Sequence, residues 1–387
     1  MTVDDVGHRP AGGRPLAGAI TGPGHVLRKT TTRLADGRQL IYFDEAARPP
    51  RTSYDRRTLN PARAVSELRL DPLTDEWVIV ASHRQERTHL PASDACPLCP
   101  SSPRNMTEIP ADDYDVVVFE NRFASLAAVP AGNAALSSPA RGLLERRAGT
   151  GRCEVVCFSA DHHTSFAQLT PARVGTIMEA WVDRHQALTE LPGVRQVFPF
   201  ENRGSEVGVT LSHPHGQIYA YPFVTPRTRQ MLETARRHHD RTGGNLFADV
   251  LRAEWDAGER IVRQSEHWTA LVPAAARWPV EVHLFPNRAA QVLADLTGAE
   301  RDDFADTYLH VLNRVDRLFG APVPYIAAWY QAPNETIPAH SYLHLRLISP
   351  RRSADKLKFL AGSESAMGVF VNDVAPEQIA RRLRAQA

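Results

Sequence analysis

The chain has almost no lysine. Of its 45 basic residues only Lys29, Lys356 and Lys358 are lysines, and the last two stand two positions apart. Arginine does not reproduce the compact point charge of lysine. Lys358 is therefore a candidate phosphate or sugar contact, against the alternative of chance on a solvated face. Cysteine is also scarce: four in 387 residues make no disulfide framework. No apolar run approaches the ~18 residues of a membrane span, and the first residues lack the apolar core of a secretory signal. No membrane partner and a cytoplasmic location are expected. A net charge of +1 gives no argument for a nucleic-acid surface. What remains is a globular composition, 43% hydrophobic and 23% charged, with length for two or three domains.

What the chain does have is Thr210-Leu211-Ser212-His213-Pro214-His215-Gly216-Gln217-Ile218-Tyr219, led into by the apolar Gln196–Phe200 and by Glu201-Asn202-Arg203-Gly204. In extended chain, side chains two apart share a face, so His213, His215 and Gln217 are expected to point the same way. Pro214 suits a strand end, and Gly216 lets another group approach the main chain. Two imidazoles and an amide converging there make an active-site composition, whereas a bare His-x-His reads equally as a polar strand end.

In chain order, residues 1–28 are Gly- and Pro-rich and are expected to form a disordered extension. Residues 29–66 carry Asp36-Gly37, a type I′ hairpin signal. The catalytic half is expected over 67–225, beginning with strand–turn–strand at Leu68–Val80 and continuing to a strand at Val116–Phe119. A polar helical connector follows over 226–258, and a second half over 259–387 ends in a helix that starts at Pro376, with Ile379 and Leu383 on its apolar face. The halves echo each other: Cys153–Ser159 aligns with Val280–Pro286 at an offset of 127, which also carries Leu169-Thr170 onto Leu296-Thr297. Each Leu-Thr opens a helix, one through Thr170 and Pro171, the other through Thr297 and Glu300 at capping-box spacing. Val174, Ile177, Met178, Trp181 and Leu188 make one apolar stripe; Phe304, Tyr308, Val311, Leu312 and Val315 make the other. His344 falls opposite His213 and Arg346 opposite His215, so only the first half is expected to do histidine chemistry. Two strand–helix–strand units joined in one antiparallel sheet flanked by helices predict an α+β fold.

Cys96-Pro97-Leu98-Cys99 supplies two soft ligands at zinc spacing. A redox pair is the alternative, but prolines flank it in a loop rather than a helix start. With no second Cys-x-x-Cys, histidines complete the set: His213 with His162 or His163. A closed, structural site of Cys96, Cys99, His162 and His213 is expected, which would also fix the aim of His215. Cys153 and Cys157 lie on an expected buried strand.

From about Glu67 to Arg384 the chain resembles the galactose-1-phosphate uridylyltransferase family of the histidine-triad superfamily. The matching pieces are Asp71–Val80, Arg84 with Arg87, Cys96–Cys99, Phe119-Glu120-Asn121, Cys157–His162, Glu201–Gly204, the His213–Gln217 motif and Lys358-Phe359. The resemblance implies duplicated histidine-triad-like halves and UMP exchange between UDP-glucose and galactose 1-phosphate, with His215 as nucleophile and Gln217 beside the phosphoryl oxygens. It implies Arg84, Arg87 and Lys358 on phosphate, Phe119, Asn121 and Asn202 at uridine or phosphate positions, Thr210 in place of a Ser, and Glu364 on the hexose. It further implies zinc and a homodimer in which Lys358, Phe359 and Glu364 reach the neighbour's site. A second metal bound by some members is not expected, because Tyr330 and Arg346 replace two histidines and only His344 survives. Ser363 replaces a Tyr next to the hexose-binding carboxylate. The competing readings are an adenylyltransferase or phosphorylase acting on ADP-glucose or a dinucleotide, and a zinc-stabilised nucleotide-binding module without turnover.

Overall fold

The computed structural model describes residues 16–22, 25–45, 48–61, 66–86, 90–127, 143–334 and 340–386, with main chain alone at 16–26 and 86. The chain enters through β1 (Leu16–Gly22), β2 (His25–Arg33) and β3 (Gln39–Glu45), paired in order and antiparallel. The extension expected over 1–28 is corrected where the chain is described, at 16–22 and 25–28, which are strand; residues 1–15 lie outside the described residues. In these stretches each main-chain N–H and C=O can pair with a neighbouring strand. The β2–β3 turn is corrected too. Type I′ needs positive φ at both central residues, but here Gly37 alone has it, at +88°, and its N–H donates to the Leu34 carbonyl. It is a four-residue turn closed on a glycine bulge.

Next come β4 (Glu67–Asp71) and β5 (Glu76–Val80), then β6 (Val116–Glu120), β7 (Arg146–Ala148) and β8 (Arg152–Cys157). Strands β5, β4 and β7 form a separate three-stranded sheet. Helix α1 (Pro171–Thr189), β9 (Gln196–Arg203) and β10 (His215–Tyr221) complete the first half. Helices α2 (Pro226–Thr242) and α3 (Leu246–Ala257) lead to β11 (Ile261–Gln264), β12 (Trp268–Leu271), β13 (Val280–Pro286), α4 (Gly298–Arg317), β14 (Tyr325–Tyr330) and β15 (His344–Ser349). The chain closes with α5 (Gly362–Met367) and α6 (Pro376–Arg384), the latter burying Ile379, Ala380 and Leu383.

The main sheet has twelve strands in the order β1-β2-β3-β6-β8-β10-β9-β14-β15-β13-β12-β11, every pair antiparallel. The two halves meet at the β9–β14 pair, about which β8-β10-β9 mirrors β13-β15-β14. Helices α1 and α4 start as their caps dictate: the Thr170 hydroxyl accepts the Arg173 N–H ahead of Pro171, and Thr297 and Glu300 form a capping box. The two apolar stripes meet in one core over the sheet. Among the described residues no helix is long and apolar enough to cross a membrane.

The repeat is real, but its register differs from the expected one. At an offset of 127, Cys157 would match Leu284. Yet Leu284 packs in the helix-side core with Val156, whereas Cys157 lies in a cluster on the other face with Val155 and Phe119. Since a one-residue slip turns every side chain to the opposite face, the offset between these strands is even: 128 places Val156 on Leu284. Correspondingly His344, not Arg346, answers His215. Each opens its strand, and each directs Nδ1 to the carbonyl two residues back, His213 in one case and Tyr342 in the other. Arg346 then answers Gln217. At this position the second half still offers no free imidazole, because Arg346 Nε donates to His344 Nε2 at 3.0 Å and its guanidinium lies 4.4 Å from the Tyr330 ring centre.

Candidate active site

Strand β10 begins at His215, so the expected common face holds for His215 and Gln217 but not for His213, which sits in the bend before the strand. The His215 Nδ1–H donates to the His213 carbonyl at 2.7 Å. That fixes the tautomer and leaves the Nε2 lone pair without a partner among the described residues. Burial lowers the pKa of His215, the His213 carbonyl opposing it in part, so the ring is neutral at neutral pH. Gly216 lies so close to Phe158 and the Phe200 carbonyl that a Cβ there would meet both at 2.8 Å. The absence of a side chain is what lets β10 seat against β9.

His215 and Gln217 line a cleft together with Arg84, Leu98, Glu108, Phe119, Asn121, Arg122, Val155, Asn202 and Thr210. Gln217 Oε1 accepts from Asn121 Nδ2 at 3.4 Å, which leaves the donor end of its amide for an anion. Arg84 is anchored by donating to the Phe123 carbonyl. Asn202 Oδ1 is buried without a partner among the described residues, an acceptor suited to a ligand donor. Phe119 and Leu98, both buried, supply apolar wall. Arg87 lies outside the described residues. Lys358, Phe359 and Glu364 do not line this cleft; Lys358 Nζ donates to Glu364 Oε1 at 2.8 Å, and Phe359 is exposed. Sequence reasoning gave no cleft role to Glu108, Leu98, Arg122 or Val155: Leu98 and Val155 lie inside segments read for their cysteines and for the repeat, and Glu108 reaches the cleft only through the loop after β5.

Behind the motif, one ligand atom from each of Cys96, Cys99, His162 and His213 falls within 4.8 Å of the others. His162 Nδ1 is 3.4 Å and His213 Nδ1 3.6 Å from Cys99 Sγ. His213 Nε2 is 2.8 Å from both the Ser159 carbonyl and the Tyr114 hydroxyl, so the outer nitrogen carries the hydrogen and Nδ1 faces the thiols. The Leu98 N–H donates to Cys96 Sγ. Burial and then Cys96 push the Cys99 thiol up to about 12. Two such thiols ionise together when a cation lies between them, and the donor set fits a metal. His163, next in sequence, is exposed and is not in the cluster.

A duplicated antiparallel α+β fold, with a backbone-held imidazole in a cleft beside a Cys/His cluster, is accompanied by sequence matches that define a nucleotidyl transferase. Residues 56–225 match the model of the galactose-1-phosphate uridyl transferase N-terminal domain, and residues 230–387 that of its C-terminal domain. The galactose-1-phosphate uridylyltransferase of Streptomyces lividans is 46% identical over 370 residues, 92% of this chain and 98% of that one. The Thermotoga maritima enzyme of the same name is 38% identical over 82% of this chain and 98% of its own. A solved uridylyltransferase structure, 30% identical, superposes with a TM-score of 0.72 over 83% of this chain and 98% of that one. The chain belongs to the galactose-1-phosphate uridylyltransferase family.

Proposed function

We propose that the protein exchanges UMP between UDP-glucose and galactose 1-phosphate through a covalent uridylyl-histidine. The observation that carries the reading is the imidazole of His215 in the cleft, held by its Nδ1–H on the His213 carbonyl with Nε2 without a partner among the described residues. In the first step the Nε2 lone pair attacks the α-phosphorus of UDP-glucose, the bond to the β-phosphate oxygen breaks, and glucose 1-phosphate leaves. In the second, a phosphate oxygen of galactose 1-phosphate attacks the same phosphorus, the P–N bond breaks, and UDP-galactose leaves with neutral His215 restored. Gln217 donates to phosphoryl oxygens as charge redistributes, and Arg84 and Arg87 hold phosphate charge. Phe119, Asn121, Asn202 and Thr210 take the nucleotide.

Zinc on Cys96, Cys99, His162 and His213 would serve as a structural cross-link, holding His213 and hence the carbonyl that orients His215. No step passes through it. A homodimer supplies Lys358, Phe359 and Glu364 to the neighbour's cleft. What supports this is the exposed apolar run Phe359, Leu360, Met367, Val369 and Val371 around the buried Lys358–Glu364 pair. The chain works in the cytoplasm, with 67–225 as catalytic half, 226–258 as connector and 259–387 as second half.

The test is intact mass after mixing the protein with UDP-glucose, quenched without acid because a phosphoramidate is acid-labile. A uridylyl-sized gain is expected in the wild type, absent in His215→Ala, and discharged by galactose 1-phosphate. No gain despite bound UDP-glucose would overturn the reading, and an adenylyl gain from ADP-glucose would redirect it.

A further inference from the structure

The uridine-binding reading above leaves one buried ion network in the cleft without a role. We propose that Glu108 is a nucleoside-binding residue whose carboxylate accepts a hydrogen bond from a neutral donor of the bound uridine, and that Arg38 and Arg57 position it. Glu108 lines the cleft with a side chain 8% exposed. Arg38 Nη2 donates to one carboxylate oxygen at 2.5 Å and Arg57 Nη1 to the other at 3.1 Å. Each oxygen accepts two hydrogen bonds, so each keeps a site after its arginine is served. Pocket-lining Arg122 stands 3.9 Å from Glu108 Oε1.

The two arginines are built alike. Arg38 Nε donates to Asp36 Oδ2 at 2.7 Å, and Arg57 donates through Nε and Nη2 to Asp55 at 2.9 and 2.8 Å. Each Asp-x-Arg unit thus carries its own counter-ion and is locked before it reaches Glu108. Burial alone would raise the Glu108 pKa, but Arg38 and Arg57 outweigh it, and the carboxylate stays charged and purely accepting. A carboxylate repels phosphate, so the part of the ligand it accepts is the nucleoside, through the uracil N3–H or the ribose hydroxyls. Arg38 also donates from Nη1 to the carbonyl of Glu120 at 2.8 Å, the residue before Asn121, whose side chain meets Gln217. Arg38 stands in the β2–β3 hairpin, ahead of residue 56 where the family match begins. That hairpin thereby becomes part of the nucleotide site.

Because Asp36 and Asp55 remain as partners, Glu108→Gln leaves neither guanidinium unpaired; Glu108→Asp, which keeps the charge and retracts it, is the second variant should the first not fold. Calorimetry would compare three ligands: UDP, its N3-methyl analogue and its 2′,3′-dideoxy analogue. Loss of a hydrogen bond to a charged group predicts UDP binding weakened about 10- to 100-fold in the variant. That loss should shrink or vanish with whichever analogue lacks the donor, the methyl arm identifying the base and the dideoxy arm the ribose. Unchanged UDP affinity, or an equal loss for all three ligands, would overturn the assignment and leave Glu108 as scaffold. Wild type that forms the uridylyl adduct separates this failure from failure of the function itself.

Discussion

Glu201 should make the protein lose stability as pH rises toward 8, and Glu201→Gln should abolish that loss. The residue lies on β9 and pairs in register with Gly216, the neighbour of His215. Its Oε1 accepts the Tyr325 hydroxyl at 3.0 Å, whereas Oε2 is buried with no partner among the described residues. Arg203 is too committed to Asp316, at 2.7 Å, to neutralise it. Burial, only partly opposed by Tyr325 and Arg203, raises the carboxyl from its ordinary 4.5 to about 8. Below pH 4.5 it is protonated in folded and unfolded chain alike and adds no pH dependence. Above that the unfolded chain releases a proton that the folded chain keeps. Each pH unit then costs the folded state about 1.4 kcal/mol, or about 3 kcal/mol by pH 7, and the loss levels off near pH 8. Glutamine keeps the oxygen that accepts from Tyr325 and has no proton to release. Urea unfolding of both proteins at pH 5, 6, 7 and 8 should show the gap moving in favour of the variant by about 1.4 kcal/mol per unit up to pH 7. A gap that stays constant across that range would mean that Glu201 ionises in the fold, through a rearrangement that gives Oε2 a donor.

Other perturbations follow from contacts already described. Gly216→Ala should cost about 1–3 kcal/mol in chemical denaturation, by forcing Phe158 and the β9 carbonyl at Phe200 away, and should lower kcat as β10 shifts under His215. Metal analysis should find one ion per chain, lost with Cys99→Ser, and chelation should lower the melting temperature and activity together. Thr297→Ala removes the capping box of α4 and should cost about 1 kcal/mol without changing kcat, since no residue of α4 lines the cleft.

The parts of this molecule that were legible in its sequence are those in which a short stretch decides its own conformation. The caps at Thr170 and Thr297 formed as their residue types require, and both helical stripes are buried. The Cys96, Cys99, His162 and His213 cluster was legible because ligand chemistry narrows the choice of partners. The β2–β3 turn shows where local signals stop: Asp36-Gly37 does sit in a hairpin, but flanking strand pairing chose a glycine bulge over type I′. Glu108 was illegible for the opposite reason. Its arginines lie 70 and 51 residues earlier in the chain, and no periodicity links positions that only tertiary pairing brings together.

The repeat register is the most instructive of these differences. Matching Cys153–Ser159 to Val280–Pro286 on residue type alone maximises similarity, but in strands a residue's face outweighs its type. Glu154 and Glu281 illustrate the trap, since the expected offset makes them equivalent. Yet Glu154 is clamped by Arg184 of α1, whereas Glu281 bonds His283 at 2.9 Å on the opposite face. With the shift to 128, Val155 answers His283, and with 129 on the partner strand His215 answers His344. The second half then contains buried His283 and His344 and a half-buried Arg346 where the first has Val155, His215 and Gln217. Duplication preserved the strand start and the Nδ1–carbonyl bond that aims an imidazole. What differs is the occupant of the next position on that face: an amide whose donor end is left for a ligand in one half, a guanidinium that consumes the histidine's own lone pair in the other. On this face the two halves differ by the contrast between Gln217 and Arg346, not by a missing histidine.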